Sequence, residues 1–377
     1  MSQAAIFVWF LALNYIGSIA SSFYDPSYQA ILFNITPNVA ERNRLIATDA
    51  YVDLAGVWLP SLFPFLVDYL PRSIPSRYIF MGGAFFFIAS VLIFRTYGFF
   101  ALKERVPLAS REEMQQANII QTVKAVGTCR PMWALLLKNF WGVGKGIGTK
   151  VENYFWLNCM GKISTGTIAG LFTGLPSYFV LPLAPKLTKK FGLRTLGAGS
   201  YIFCGVSYLV MWLIGYNPTG NKLIDTVWII FALTVCGSLN SIQRYCSTAL
   251  KGDVYDYVEW KSGISNEGTI TAAMGYITLL SNQVATVLSG LVINALHYKP
   301  LLNANGVIIP QTNSKMLSGI WMIFALAPAI GRIMEGVSVL LFNVHGKTRD
   351  TMMYELAKIR AAKVIDTQAA PEKTDNE

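Results

Sequence analysis

Residues 251–268 read KGDVYDYVEWKSGISNEG. Three acids (Asp253, Asp256, Glu259), two lysines (Lys251, Lys261), two tyrosines (Tyr255, Tyr257) and Trp260 crowd this run, which lies between two long apolar segments. An ionisable group at membrane depth costs a few kcal/mol or more. The run therefore reads as a juxtamembrane loop or gate, where the chain leaves the bilayer. Its flanks set the class. The 377 residues are 53% hydrophobic and only 14% charged, with mean hydropathy +0.42. Soluble domains carry roughly a quarter charged residues, so this is a polytopic membrane protein. Twenty-two Phe, 18 Tyr and 9 Trp suit a lipid-facing surface with aromatic belts. The net charge of +10 does not point to nucleic acid. The basic residues fall in short loops between apolar spans, the pattern of loops facing anionic lipid.

A bilayer crossing needs roughly 20 mostly apolar residues. On that measure about nine spans are expected, near 4–32, 50–70, 78–100, 132–158, 166–186, 195–215, 226–248, 269–296 and 317–343. The expected architecture is an all-α helical bundle. Residues 1–100 form an N-terminal part of three spans, 101–131 a cytoplasmic linker, 132–345 a six-helix half, and 346–377 a cytoplasmic tail. Most loop Lys and Arg fall in 34–48, the linker, 186–194, the 251–268 run and the tail. Positive charge marks the cytoplasmic side, so the C-terminus is expected inside and the first residue of this chain outside. Cys129, Cys159, Cys204, Cys236 and Cys246 are scattered without a CxxC pair, which supports neither a metal centre nor a disulfide framework.

The 251–268 run resembles the D-x-x-D-Y-x-E-W-K-x-G-x-x-x-E-G signature of the glycoside–pentoside–hexuronide:cation symporters, melibiose permease-like members of the major facilitator superfamily. Asp253, Asp256, Tyr257, Glu259, Trp260, Lys261, Gly263, Glu267 and Gly268 match in one register. Residues 21–56 resemble the family's fourth span and the loop after it through Asp25, Tyr28, Thr36, Glu41, Arg42 and Leu45. Residues 184–194 and 348–360 resemble the basic loop between the eighth and ninth spans and the C-terminal helix. The resemblance implies a major facilitator-type bundle of family spans 4–12. The first three spans are then expected to be missing, through an N-terminally truncated product or a misassigned start. It implies cation-coupled sugar or glycoside symport by alternating access, with Na⁺ or H⁺ as the coupling ion and no other cofactor. The setting is the lipid bilayer, as expected for a bacterial inner membrane. The family's principal cation carboxylates lie on span two, so no cation site is assigned here.

Polar residues inside the spans are the site candidates. Asp25, with Tyr28 and Gln29 at i+3 and i+4, suits a sugar: hydroxyls meet the carboxylate and the ring face stacks on the aromatic. The resemblance gives the same role to Asp25. Asp49 and Asp53, one turn apart, suit a bound cation, a shared proton or an acid-rich helix start. Lys138, Lys145 and Glu152 recur every seven residues and share a stripe. Lys138 is read as snorkelling to the cytoplasmic interface. Lys145, Glu152, Trp156 and Asn282 are read as substrate-binding. Arg332 and Glu335, at i,i+3, are read as neutralising each other. Arg244 and Asn240 are assigned to the gate. There Arg42 and Arg44 are expected to face Asp253, Asp256, Glu259 and Lys261, with Arg42 or Arg44 pairing with Asp256 or Glu259.

Two motifs are set aside. GVGKGIGTK, residues 142–150, lacks the order of a phosphate-binding loop and lies in a span. Asn34-Ile35-Thr36 fits the glycosylation sequon but falls on the cytoplasmic side. The competing classes are a non-transporting membrane protein (a fragment, sensor or assembly partner) and a membrane enzyme. The two histidines, His297 and His345, lie at or beyond span ends and frame no nucleophile–base pair.

Overall fold

Without water to accept their hydrogen bonds, apolar runs in a bilayer must satisfy their backbones internally, and a helix does this within one segment. The computed structural model describes residues 28, 31, 35–36, 38–61, 76–101, 127–162, 164–262, 267–299, 301–302 and 308–369. The helices are α1 (Val39–Ser61), α2 (Ser76–Ala101), α3 (Arg130–Trp141), α4 (Val143–Phe155), α5 (Ser164–Val180), α6 (Ala184–Phe191), α7 (Leu193–Ile214), α8 (Lys222–Gly237), α9 (Asn240–Ser262), α10 (Glu267–Ala295), α11 (Ser314–Leu340) and α12 (Lys347–Ala369). A π turn, Trp156–Met160, extends α4, and a 3₁₀ turn, Leu181–Leu183, joins α5 to α6. One short antiparallel ribbon, β1 (Leu301–Leu302) against β2 (Ile308–Ile309), lies in the α10–α11 connection. The expected all-α architecture holds.

Among the described residues, six helical stretches are long and apolar enough to cross a membrane: Met81–Gly98, Thr165–Phe191, Leu193–Ile214, Lys222–Ser262, Gly268–Ala295 and Ser314–Leu340. Each overlaps one of the expected spans. The expected span 132–158 forms as α3 and α4 with Gly142 between them. The expected span 4–32 lies outside the described residues except for Tyr28 and Ile31, as does most of the expected linker.

One expectation is corrected. Residues 251–262 are not a loop but the last turns of α9, which carries on from the apolar α8 with only a short break at 238–239. The reason is amphipathic. Val254, Tyr255 and Val258 are buried with Tyr245, Cys246, Leu250, Met132, Ile46, Phe342 and Met352 in an inner apolar cluster. The helix therefore has a core to cover past the end of its apolar run. A second, outer cluster joins α4, α8 and α11, with Phe155 stacked on Phe324 at 4.3 Å between ring centroids.

Small residues set the closest helix contacts, as expected where lipid supplies no hydrophobic drive and close packing must. A Cβ on Gly205 of α7 would stand 2.8 Å from the Ala329 carbonyl oxygen, and one on Gly336 of α11 would stand 3.0 Å from that of Ala198. The 142–148 glycines work in the same way. A Cβ on Gly144 would be 2.4 Å from the Ala327 carbonyl oxygen, and one on Gly148 would be 2.4 Å from Pro328 Cγ, both on α11. A Cβ on Gly146 would be 2.8 Å from Ala285 Cβ on α10. Glycines two apart alternate between two faces of α4, which wedges it between α10 and α11. The face left over carries Lys145, Thr149 and Glu152.

Candidate functional site

That third face of α4 opens on a cavity of about 170 Å³ among α4, α5, α7, α8, α9 and α11. Its polar lining is Lys145, Thr149 and Glu152 from α4, Thr173 from α5, Tyr208 from α7, Asn240 from α9 and Arg332 from α11, with Phe324 and Leu233 among the apolar walls. Arg332 is 7% exposed. Its Nη1 donates to Glu335 Oε2 at 2.9 Å, its Nη2 donates to Asn240 Oδ1 at 3.3 Å, and its guanidinium lies over the Tyr201 ring. Its buried Nε has no hydrogen-bond partner among the described residues. Lys145 is exposed to the cavity. Glu152 Oε1 accepts from Trp156 Nε1 at 3.3 Å.

The sequence-predicted residues divide accordingly. Lys145 and Glu152 line this cavity together. Trp156 is fully buried in the outer cluster and reaches the cavity only through its bond to Glu152. Asn282 is exposed on α10, outside the lining. Tyr28 donates its hydroxyl to Asp49. Asp25 and Gln29 lie outside the described residues, as does the Asp53 side chain. Arg332 and Glu335 do pair, but Arg332 also lines the cavity. Asn240, assigned to the gate, lines the cavity instead, because α9 begins at the height of Arg332 and passes the cavity before reaching the charged end. Lys138 does not snorkel. It is 8% exposed, donates to Ser247 Oγ at 2.7 Å and lies over the Tyr201 ring, so α9 and α7 supply its polar contacts inside the bundle. Tyr208 carries no sequence signal, being one aromatic in an apolar span.

The second cluster lies at the charged end of α9. Arg42 of α1 donates to both oxygens of Asp256, at 2.6 and 3.4 Å. Arg360 of α12 donates to Asp256 at 3.0 Å and to both oxygens of Glu259. Arg349 grips Asp253 through two 2.9 Å bonds. Trp260 Nε1 donates to Glu355 at 2.6 Å, and Lys261 Nζ stands 4.2 Å from the Trp260 ring centre. Asp253 and Asp256 are 1% and 2% exposed, so these acids are buried and paired rather than solvated. Burial opposes the charge on Arg349, yet Asp253 outweighs it and holds the guanidinium above its ordinary value. Burial and Glu259 act on Arg360 in the same opposed way, again with a net rise. Arg44 is exposed and makes no ion pair among the described residues. Among those residues, no group of three His, Cys, Asp or Glu is placed to hold a metal ion.

The chain resembles three transporters. It is 23% identical over 292 residues to a Salmonella typhimurium protein provisionally named a 2,3-dihydroxypropane-1-sulfonate exporter, covering 74% of this chain and 59% of that one. It is 22% identical over 357 residues to a provisionally named sulfoquinovose importer of the same organism, covering 94% and 69%. It is 23% identical over 369 residues to the isoprimeverose transporter of Lactiplantibacillus pentosus, covering 96% and 72%. The chain thus spans about 59% of the length of the exporter it matches. The family described as MFS/sugar transport protein matches residues 1–345. With its membrane helices and its polar interior cavity, this chain belongs to the MFS/sugar transport family.

Proposed function

We propose that the chain acts in cation-coupled transport of a sugar or glycoside across a bacterial inner membrane, by alternating access, with its C-terminus in the cytoplasm. The observation that carries this reading is the polar cavity among membrane helices, where Lys145, Glu152, Tyr208 and Asn240 converge. Hydroxyl-rich ligands need this mixture of donors and acceptors beside an aromatic wall, and a chain that only filled space would not bear the cost of such groups at membrane depth. The relatives' names span two sulfonates and one uncharged sugar, so they support a sugar-like cargo without fixing its charge. The Arg42–Asp256–Arg360 cluster supports the gate reading: it ties α1, α9 and α12 together at the inner end, a contact that must break for the inner mouth to open. The coupling ion, Na⁺ or H⁺, follows from the family resemblance.

Uptake of labelled sugars into cells expressing the chain tests the proposal. Accumulation above background that collapses when the Na⁺ or H⁺ gradient is dissipated is the expected result. No accumulation of any sugar by a correctly inserted chain overturns it in favour of a non-transporting membrane protein.

A further inference from the structure

Glu152 lines the cavity and makes no ion pair among the described residues. Lys145, the other charge that α4 gives the cavity, is seven residues away, about 10 Å at 1.5 Å per residue, too far to pair with it. One bond holds the carboxylate: Trp156 Nε1 donates to Oε1 at 3.3 Å. Oε2 has no hydrogen-bond partner among the described residues. One acceptor is thus committed and the other is left for what enters the cavity.

The donor is itself fixed. Trp156 is fully buried in the outer cluster, where α4 passes into the π turn. The Phe155 ring stands edge-on to it, with centroids 5.2 Å apart. The indole also lies against Gly166 of α5. A Cβ on Gly166 would stand 2.5 Å from Trp156 Cδ1 and 2.7 Å from Nε1, an approach that only glycine permits. The N–H is therefore aimed by the contact of two helices rather than by a freely chosen rotamer. We infer that Trp156, seated on Gly166, is a positioning residue: without touching the ligand, it sets the Glu152 carboxylate so that one oxygen receives a ligand hydroxyl. The inference rests on the sugar-transport reading and deepens it. A carboxylate already held gives up little rotamer freedom when a donor arrives, so more of the contact appears as affinity. A fixed acceptor also discriminates among hydroxyl positions, because a ligand lacking the matching hydroxyl leaves it unpaired.

Calorimetric binding to the full chain in lipid nanodiscs tests this, with D-glucose, D-galactose and D-xylose as probes. Trp156→Phe keeps a buried ring and removes the N–H. It is expected to weaken the tightest of the three sugars roughly three- to tenfold, the scale of one net hydrogen bond. Gly166→Ala keeps the N–H but displaces the indole, and should do the same. Poorer packing alone would carry the same loss whatever stands at position 152, so the deciding readout is coupling. In a Glu152→Ala background, with no carboxylate to aim, neither substitution should change affinity further. The ligand side gives the same test without a second substitution. Among the monodeoxy analogues of that sugar, the one lacking the hydroxyl that Glu152 accepts should bind wild type and Trp156→Phe alike. Unchanged affinity in Trp156→Phe, or an equal loss in both backgrounds and for every analogue, makes Trp156 a packing residue and overturns the inference while the sugar reading stands. If none of the sugars binds folded wild-type protein, the sugar reading falls and the inference with it.

Discussion

The two charged clusters of this protein share helix α9 and differ in how their charges are met. At the charged end of α9, Arg42, Arg349 and Arg360 face Asp253, Asp256 and Glu259, and every one of these charges has a partner. Around the cavity, Lys145 has none among the described residues, and Arg332 is only partly satisfied. A balanced set of buried charges needs nothing further and holds its elements in place, because breaking a buried pair leaves a charge with neither water nor partner. An unbalanced set is completed by something that arrives. One cluster ties helices together; the other lines the cavity proposed above to receive a ligand, and on that proposal substitutions of similar chemistry should act very differently in the two places.

The largest effect is expected at Asp256. Its carboxylate is 2% exposed and is shared by Arg42, itself 6% exposed, and Arg360. Asp256→Ala removes the buried carboxylate that both arginines share, and breaking a buried pair one-sidedly costs about 3–5 kcal/mol. That cost falls on the arrangement in which α1, α9 and α12 meet, so the population should move away from it. Spin labels at Asn43 and Ser262 read the change. A distance distribution that widens or lengthens is the expected outcome, and one identical to wild type would mean that the cluster holds nothing shut.

Next in size is the packing that aims the cavity face of α4. Gly144→Leu forces a side chain into the Ala327 carbonyl oxygen and Gly331 Cα, 2.4 and 2.7 Å from where its Cβ must go. Both are backbone atoms, so no rotamer change relieves the clash and the helices must separate. Overpacking of this kind costs about 1–3 kcal/mol. A lower melting temperature in detergent is expected, together with weakened ligand binding, because Lys145 and Glu152 turn with the helix. Gly199→Ala, which meets nothing within 4 Å on the adjoining helix α7, is the control and should change little.

A smaller loss is expected at the rim of the charged cluster on α9. Arg349 is 28% exposed at its side chain, and Arg349→Lys keeps the charge but gives up the two-pronged grip on Asp253. Lys lacks the planar fork that matches a carboxylate. The expected cost is about 1 kcal/mol, within the range of a single net hydrogen bond, read as a modest fall in melting temperature. An effect as large as that of Asp256→Ala would show that the cluster is cooperative rather than graded by burial.

How much of this was legible beforehand follows the range of the interactions. Apolar runs placed the six described crossings, because hydropathy is a local property. The stripe of Lys145 and Glu152 was legible because seven residues bring a helix back to nearly the same face. The i,i+3 pairing of Arg332 with Glu335 was legible for the same reason. The helical state of 251–262 was not, since its apolar positions matter only against Met132, Phe342 and Met352, which are distant in sequence. Arg349 and Arg360 are separated from their acids by about a hundred residues, and no spacing rule reaches that far. Lys138 was misplaced because snorkelling is the default for a lysine near a span end, and only the presence of Ser247 and Tyr201 overrides it. Asn240 was misplaced by its proximity in sequence to Arg244.

The smallest expected effect is the sharpest probe of the contrast. Lys145→Gln removes a charge from the same bundle as Asp256→Ala, yet it breaks no ion pair among the described residues. Lys145 lines the cavity rather than the packed core, and substitutions away from packed or paired groups usually stay within about 0.5 kcal/mol. Its cationic neighbours, Arg332 and Arg244, repel it, and Glu335 offsets them only in part. Removing it relieves that repulsion. Without ligand, the melting temperature should therefore be unchanged or slightly higher than wild type. With a saturating concentration of a transported sugar the order should reverse, because a ligand bound to the native state stabilises it in proportion to occupancy, and the variant forgoes that gain. Thermal unfolding of both proteins, with and without a sugar that the uptake assay shows to be transported, measures all four values. A marked loss of stability in the empty variant would show that Lys145 is a structural charge like Asp256, and the distinction between a cluster that holds and a cluster that receives would fail at its most exposed residue.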